Sequence, residues 1–309
     1  MLRRIVIDTD PGTDDAVAIL LALASPELEV IGLNAVAGNV PLTETERNAR
    51  AVCELAGRAD VPVFAGCPRP IDGRLVSAAK VHAEHGLGRL TLPAPEKPLR
   101  PEHGVAFLID TLRSAAPATV TLCALGPLTN IAIALVMAPD IAGRIAELVL
   151  MGGASSALGN ETPAAEFNIH ADPQAAAIVL ASGMPITVVP LDLTHQVRST
   201  PERIDRLRAL GTPCCEAAAL LIAPPIGSDR IFSLHDPCVI AWLIAPELFE
   251  GVEANVEIET GSDLTLGMTV VDWRGRSGRP ANARVLQTID ADGFYALLCE
   301  RLARLPLAR

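Results

Sequence analysis

Four carboxylates fall within eight residues near the start of the chain, in Asp8-Thr9-Asp10-Pro11-Gly12-Thr13-Asp14-Asp15. An apolar run, Arg4-Ile-Val-Ile-Asp8, leads into them, and Val17, Leu20, Leu21 and Ala24 follow at helical spacing. The acids therefore crowd where a buried strand hands over to a helix. Two like charges about 4 Å apart repel by roughly 4 kcal/mol at an effective dielectric near 20. Helix N-terminal amides offset a fraction of a kcal/mol to ~2 of that, whereas a divalent cation offsets far more. All-oxygen donors select a hard ion, and flexible coordination by carboxylates and carbonyls suits calcium better than magnesium. Helix capping is the plainer use of aspartate here. It fits Asp8 taken alone, but the cluster is too dense for capping to account for all of it.

The elements that must position these acids alternate along the chain. After the opening strand and helix come Leu28 to Ala35 as strand, Thr43 to Ala56 as helix and Val61 to Ala65 as strand. Gly104 to Ala115 reads as helix, Val120 to Leu125 as strand, Leu128 to Met137 as helix, and Ile145 to Met151 as strand. Pro173 to Ala181 reads as helix and Ile186 to Val189 as strand. Strands separated by helices pair in parallel through right-handed crossovers, giving an open α/β sheet covered on both faces. Ligands of such sheets bind at the carboxyl ends of the strands. The Pro-rich stretches 68–72 and 93–101 are loops, because the alternation resumes after each, so residues 1–309 are expected to form a single domain. Pro201 to Leu221 reads as one Ala/Leu-rich helix and Asp236 to Ala245 as another. Val252 to Val256, Met268 to Trp273 and Ala283 to Leu286 read as short strands before a terminal helix, Ala291 to Leu305.

Composition narrows the partners. Hydrophobic residues make up 50% of the chain but aromatics only 3%, so the core is built from Ala, Val, Leu and Ile, as in parallel sheets. A net charge of -11 argues against nucleic acid, whose recognition rests on a basic face. Mean hydropathy is +0.35, yet Pro or a charge interrupts every apolar stretch before the roughly 18 to 20 residues of a bilayer span. No membrane partner is expected, and Met1 to Arg4 leads into an apolar run too short for a signal segment. Seven cysteines, with only Cys214 and Cys215 adjacent, read as reduced buried thiols of a cytoplasmic protein.

The segment D-T-D-P-G-T-D-D-A resembles the N-terminal signature of the inosine-uridine-preferring nucleoside hydrolases. Further matches follow in that family's order and cover essentially the whole chain. They are Ala37-Gly38-Asn39-Val40, Leu125-Gly126-Pro127-Leu128-Thr129-Asn130, Met151-Gly152-Gly153, Gly159-Asn160, Ala165-Glu166-Phe167-Asn168 and His235-Asp236-Pro237. The resemblance implies a Rossmann-like nucleoside hydrolase fold and calcium-dependent hydrolysis of the N-glycosidic bond of ribonucleosides, giving ribose and free base. It assigns Asp10, Asp15, Asp236 and the Leu125 carbonyl to calcium, with the ribose 2'- and 3'-hydroxyls and a water completing the shell. Asp14 becomes the general base for that water. Asn39, Asn160, Glu166 and Asn168 are assigned to ribose hydroxyls and Met151 to packing against the sugar. Carboxylates around a ribose that develops oxocarbenium character favour the transition state over the ground state. The resemblance also implies a homodimer or homotetramer.

His235, beside Asp236, is the candidate acid for the departing base, since imidazole titrates near neutral pH. His82 lies in Val81-His82-Ala83-Glu84-His85-Gly86-Leu87-Gly88, similar to the family's H-G-x-D-G-L loop near the base, though Ala83 replaces Gly and His85 replaces the acid. His103, His170 and His195 carry no special spacing and read as ordinary surface or core residues. Where family members place tyrosines before the final histidine, this chain has Ala219 to Gly227, and its single tyrosine is Tyr295. Phe232 is the aromatic left to face the base. Two alternatives remain at this point. A haloacid-dehalogenase-like phosphatase also ends its first strand in D-x-D, but needs Gly-Thr after the second Asp, where Pro11 stands here. A calcium-dependent nucleoside or ribose binder without turnover is the other.

Overall fold

Ile5, Val6 and Ile7 are all buried, so the first strand is covered on both faces as its unbroken apolar run requires. Alternation divides them: Ile5 and Ile7 join one hydrophobic core and Val6 the other. The computed structural model describes residues 2–73, 85–224 and 231–305. Its strands are β1 (Arg3–Thr9), β2 (Leu28–Ala35), β3 (Val63–Ala65), β4 (Val120–Ala124), β5 (Ile145–Met151), β6 (Ile186–Val189), β7 (Phe249–Ala254), β8 (Val256–Ile258), β9 (Thr269–Val271) and β10 (Ala283–Ile289). Eight of them form one sheet in the order β3-β2-β1-β4-β5-β6-β10-β7. All neighbours pair in parallel except β7 with β10. The expected α/β architecture, a mostly parallel sheet between helices, is what the chain adopts.

Strand order reverses between β1 and β4. The chain leaves β1 through helix Thr13–Leu23 on one face, and leaves β4 through helix Thr129–Met137 on the other. A crevice opens where the two connections diverge, at the carboxyl ends of both strands. The aspartate loop 8–15 and Leu125-Gly126 lie at that point.

Three readings need correction. The stretch from Pro201 to Leu221 is two helices, Pro201–Arg208 and Pro213–Leu221. Gly211, at φ +68°, ends the first, while Thr212 caps the second by accepting from Cys215 N at 3.2 Å, with Pro213 at its first position. The expected strand from Val252 to Val256 is divided at Asn255: β7 belongs to the main sheet, and β8 pairs with β9 in a separate antiparallel ribbon. The final helix stops at Leu302. No helix among the described residues is long and apolar enough to cross a membrane, and all seven cysteines are unbridged.

Candidate active site

Asp8, Asp10 and Asp15 are each buried, and their partners differ. Asp8 Oδ2 accepts from Asn34 Nδ2 at 2.6 Å and Asn130 Nδ2 at 3.0 Å, and Asn130 Oδ1 accepts from Cys67 N at 2.7 Å. This residue therefore ties β1 to β2 and to helix Thr129–Met137 behind the site. Burial pushes its carboxyl up to about 7 against those two hydrogen bonds. Asp15, in the first turn of helix Thr13–Leu23, accepts from Thr9 Oγ1 at 2.6 Å and Gly12 N at 3.0 Å. Asp10 Oδ2 accepts from Asn39 N at 2.7 Å, and Asn39 Nδ2 reaches the Asp10 carbonyl and Asp15 Oδ2, each at 3.2 Å. Asn39 thus braces the aspartates directly.

Asp236 arrives from the far end of the sequence, at the start of helix Pro237–Ile244, which packs against helix Thr13–Leu23. One oxygen each from Asp14, Asp15 and Asp236 gather within 4.8 Å of one another. Asp10 stands outside that triad, yet its Oδ1 is buried with no hydrogen-bond partner among the described residues. Burial, then the charge of Asp15, holds Asp10 well above the ordinary carboxylate range. Asp15 is raised by burial and by Asp14, and Asp236 by burial and by Asp14, Asp15 and Asp10. Oxygen donors of one sign gathered from Asp14, Asp15 and Asp236, with the orphaned buried oxygen of Asp10 beside that triad, fit a hard dication. The cluster is able to hold a metal ion.

A cavity of about 630 Å³ opens over this cluster, ample for a nucleoside. Asp14, Asn39, Leu125, Met151 and Asp236 line its acidic end. Its side is formed by Asn160, Glu166 and Asn168, and its outer end by Phe232, His235 and the segment Leu220–Ala223. Glu166 caps helix Phe167–Ala171: Oε1 accepts from Asn168 N at 2.9 Å, and Oε2 from Gly153 N at 3.0 Å and Ile169 N at 3.2 Å. Burial nonetheless raises its carboxyl to about 7. Asn168 Nδ2 donates to the carbonyls of Leu125 at 2.7 Å and Met151 at 3.1 Å, knitting the ends of β4 and β5 together. Asn160 Oδ1 accepts from Phe167 N at 2.8 Å, and its NH2 group has no partner among the described residues. Met151 is both core and cavity wall.

The expected site residues that are described converge on this one cavity and the acidic cluster beneath it; His82 lies outside the described residues. His85 has Nδ1 3.6 Å from Glu44 Oε2, and its carbonyl accepts from Asn48 Nδ2 at 2.7 Å. Reading the sequence missed several neighbours. His195, taken as ordinary, lines the cavity with its ring centroid 6.0 Å from that of His235. Its position just past β6 puts it at the binding edge of the sheet, a consequence of topology that spacing does not carry. Thr194 Oγ1 lies 2.7 Å from His235 Nδ1. Ser199, another lining residue, is hydrogen-bonded at 2.9 Å to the hydroxyl of Tyr295, so the single tyrosine backs the wall and does not cover the base. Thr9, adjacent to the acids, was the one missed residue with a visible signal.

Comparison with known proteins identifies what this arrangement is. The family model described as inosine-uridine preferring nucleoside hydrolase matches residues 5–296. A protein named pyrimidine-specific ribonucleoside hydrolase RihA, from Shewanella sp. (strain ANA-3), is 44% identical over 98% of this chain and 97% of its own length. An uncharacterised Schizosaccharomyces pombe protein is 48% identical over 98% of this chain and 100% of its own. Among solved structures, the purine-preferring ribonucleoside hydrolase from Gardnerella vaginalis superimposes with a TM-score of 0.89 at 31% identity, covering 98% of each chain. The family match and these relatives define an enzyme that hydrolyses ribonucleosides, which sets aside the phosphatase and the inert binder. The chain belongs to the inosine-uridine preferring nucleoside hydrolase family.

Proposed function

We propose that the enzyme is a calcium-dependent hydrolase of pyrimidine ribonucleosides, with Asp10, Asp15, Asp236 and the Leu125 carbonyl as the protein's calcium ligands. The observation that carries this reading is the gathering of like-charged oxygens beneath a nucleoside-sized cavity, with the buried Asp10 Oδ1 beside them lacking a partner among the described residues. Calcium, when bound, supplies the charge that grips a vicinal diol and makes a nearby water more acidic. Asp14 is the least enclosed of the clustered acids at the cavity floor, which suits a base that must meet water. It takes one proton as the water oxygen bonds to C1' of the ribose. The C1'–N bond breaks, its electron pair passes to the base, and His235 offers a ring N–H to that base from the outer end of the cavity. Asn160, Glu166 and Asn168 orient the sugar, Asn39 holds the aspartates in place, Met151 packs against the ribose, and His82 belongs to the base side.

The pyrimidine assignment follows the relatives: the Shewanella protein named pyrimidine-specific is 44% identical, the Gardnerella vaginalis enzyme named purine-preferring 31%. The same reading takes the chain as one domain of a cytoplasmic homodimer or homotetramer. Light scattering tests the assembly, since the mass must come out as two or four times 32.4 kDa.

Release of ribose as reducing sugar from uridine, cytidine, inosine and 2'-deoxyuridine tests the chemistry. Uridine and cytidine should turn over fastest, and the deoxy substrate poorly, because it lacks half of the diol. Asp10→Ala should nearly abolish turnover, and chelation of calcium should do the same. Normal turnover by that variant would remove Asp10 from the ion's shell.

A further inference from the structure

Thr194 ends the short helix Leu191–Thr194 at the carboxyl end of β6 and is fully buried. Its backbone N–H donates to the Pro190 carbonyl, and its hydroxyl has one partner among the described residues, His235 Nδ1 at 2.7 Å. Two arrangements of hydrogen are conceivable for that contact. If Nδ1 carried the hydrogen, it would donate to Thr194 Oγ1, and the hydroxyl hydrogen would be stranded in a buried site with no acceptor. An unmade buried hydrogen bond leaves its desolvation cost uncompensated. The satisfied arrangement has Thr194 donating and Nδ1 accepting. In a neutral imidazole the hydrogen then belongs to Nε2.

We infer that Thr194 is a positioning residue that fixes His235 in the Nε2–H tautomer, so that the departing base meets a hydrogen and never a lone pair. This rests on the reading of His235 as the donor to the base. As the C1'–N bond breaks, electron density accumulates on the base, and a fixed N–H strengthens its interaction with that growing charge. A lone pair in the same place would repel it. No proton transfer is needed for the effect. His235 also lines the cavity beside His195, so Thr194 acts from behind the wall and touches no reacting atom.

The test compares Thr194→Val, Thr194→Ser and His235→Ala on uridine and on p-nitrophenyl riboside, whose leaving group needs no donor. Thr194→Val should lower kcat on uridine by at least about tenfold with KM little changed, and should leave the nitrophenyl substrate unaffected. Thr194→Ser, which keeps the hydroxyl, should restore uridine turnover. Equal losses on both substrates, or no loss on uridine, would overturn the inference. If His235→Ala itself shows no selectivity between the substrates, the reading of His235 fails. If it is selective while Thr194→Val is not, only the role of Thr194 fails. Should Thr194→Val not fold, the ring-nitrogen shifts of wild-type protein labelled with 15N-histidine decide the matter. A bare Nδ1 and a protonated Nε2 on His235 are expected, and the reverse would overturn it.

Discussion

Asp10 is held between two glycines. A β-carbon at Gly38 would overlap Asp10 Oδ2, and one at Gly126 would overlap the orphaned Oδ1. Gly126 also follows Leu125, whose carbonyl is proposed for calcium, so one small residue governs the space around two ligands. Its φ is not in the left-handed region, and alanine there is a steric change without a backbone penalty. Gly126→Ala should displace the Asp10 carboxylate, weaken calcium binding and turnover by at least about tenfold, and cost roughly 1–3 kcal/mol of stability as overpacking. Calcium titration beside ribose release checks it, and wild-type calcium affinity would show that Asp10 Oδ1 does not serve the ion. The glycines were visible as part of the Ala37 to Val40 and Leu125 to Asn130 motifs. Their reason, close approach to one buried carboxylate, needed the third dimension. Asp8 likewise could be seen but not placed: its partners Asn34 and Asn130 lie on different elements, and neither reads as polar support in a linear pattern.

Among the elements, the loop after β5 depends on a residue from another strand's end. Asp192, just beyond β6, accepts from the backbone N–H groups of Ser155 at 2.9 Å, Ser156 at 2.7 Å and Ala157 at 3.0 Å. Burial works to raise its carboxyl, but these donors prevail and hold it below the usual range. The loop so anchored leads to Asn160 at the cavity. Asp192→Ala should therefore raise KM for nucleosides by more than it lowers kcat, and destabilise the fold by about 1 kcal/mol, since water can reach the freed N–H groups. Steady-state kinetics with a thermal melt would decide it, and an unchanged KM would cut Asp192 off from Asn160. Elements built from local signals were legible: β1 and helix Thr13–Leu23 follow from an apolar run and a 3.6-residue period. The break in Pro201 to Leu221 was also written locally, as Leu210-Gly211-Thr212-Pro213, a stop followed by a cap and a helix-starting proline. Apolar periodicity overrode it. Asp192, Thr194 and His195 were illegible, because what they touch is far away in sequence: the loop after β5 for Asp192, and His235 for Thr194 and His195.

At the scale of the whole molecule, the acids tie stability to pH and, on the proposed reading, to calcium. Asp8 and Glu166 are raised to about 7, and burial also raises Asp10, Asp15 and Asp236. For Asp8 and Glu166 the unfolded chain releases the proton near pH 4, so between about pH 4 and 7 the folded protein without calcium holds more protons, and the other three raised acids act in the same direction. Stability is then fullest at the acid end of that window and falls as pH rises toward 7, by up to about 1.4 kcal/mol per pH unit each for Asp8 and Glu166, and their contribution levels off above it. A dication among the clustered carboxylates reverses the balance, since it favours their ionised forms and must displace their protons. Calcium at about 100 times its Kd adds roughly 2.7 kcal/mol on binding grounds alone. Melting curves in chelator should show Tm dropping from pH 5 to pH 7.5, and saturating calcium should flatten that drop, so that the gain from calcium widens with pH. Calorimetric titration at pH 6 in two buffers of different ionisation enthalpy should register protons leaving as calcium enters. Identical heats in both buffers, with parallel Tm profiles, would mean that the carboxylates are already ionised without the ion, and that some other group in the fold neutralises them.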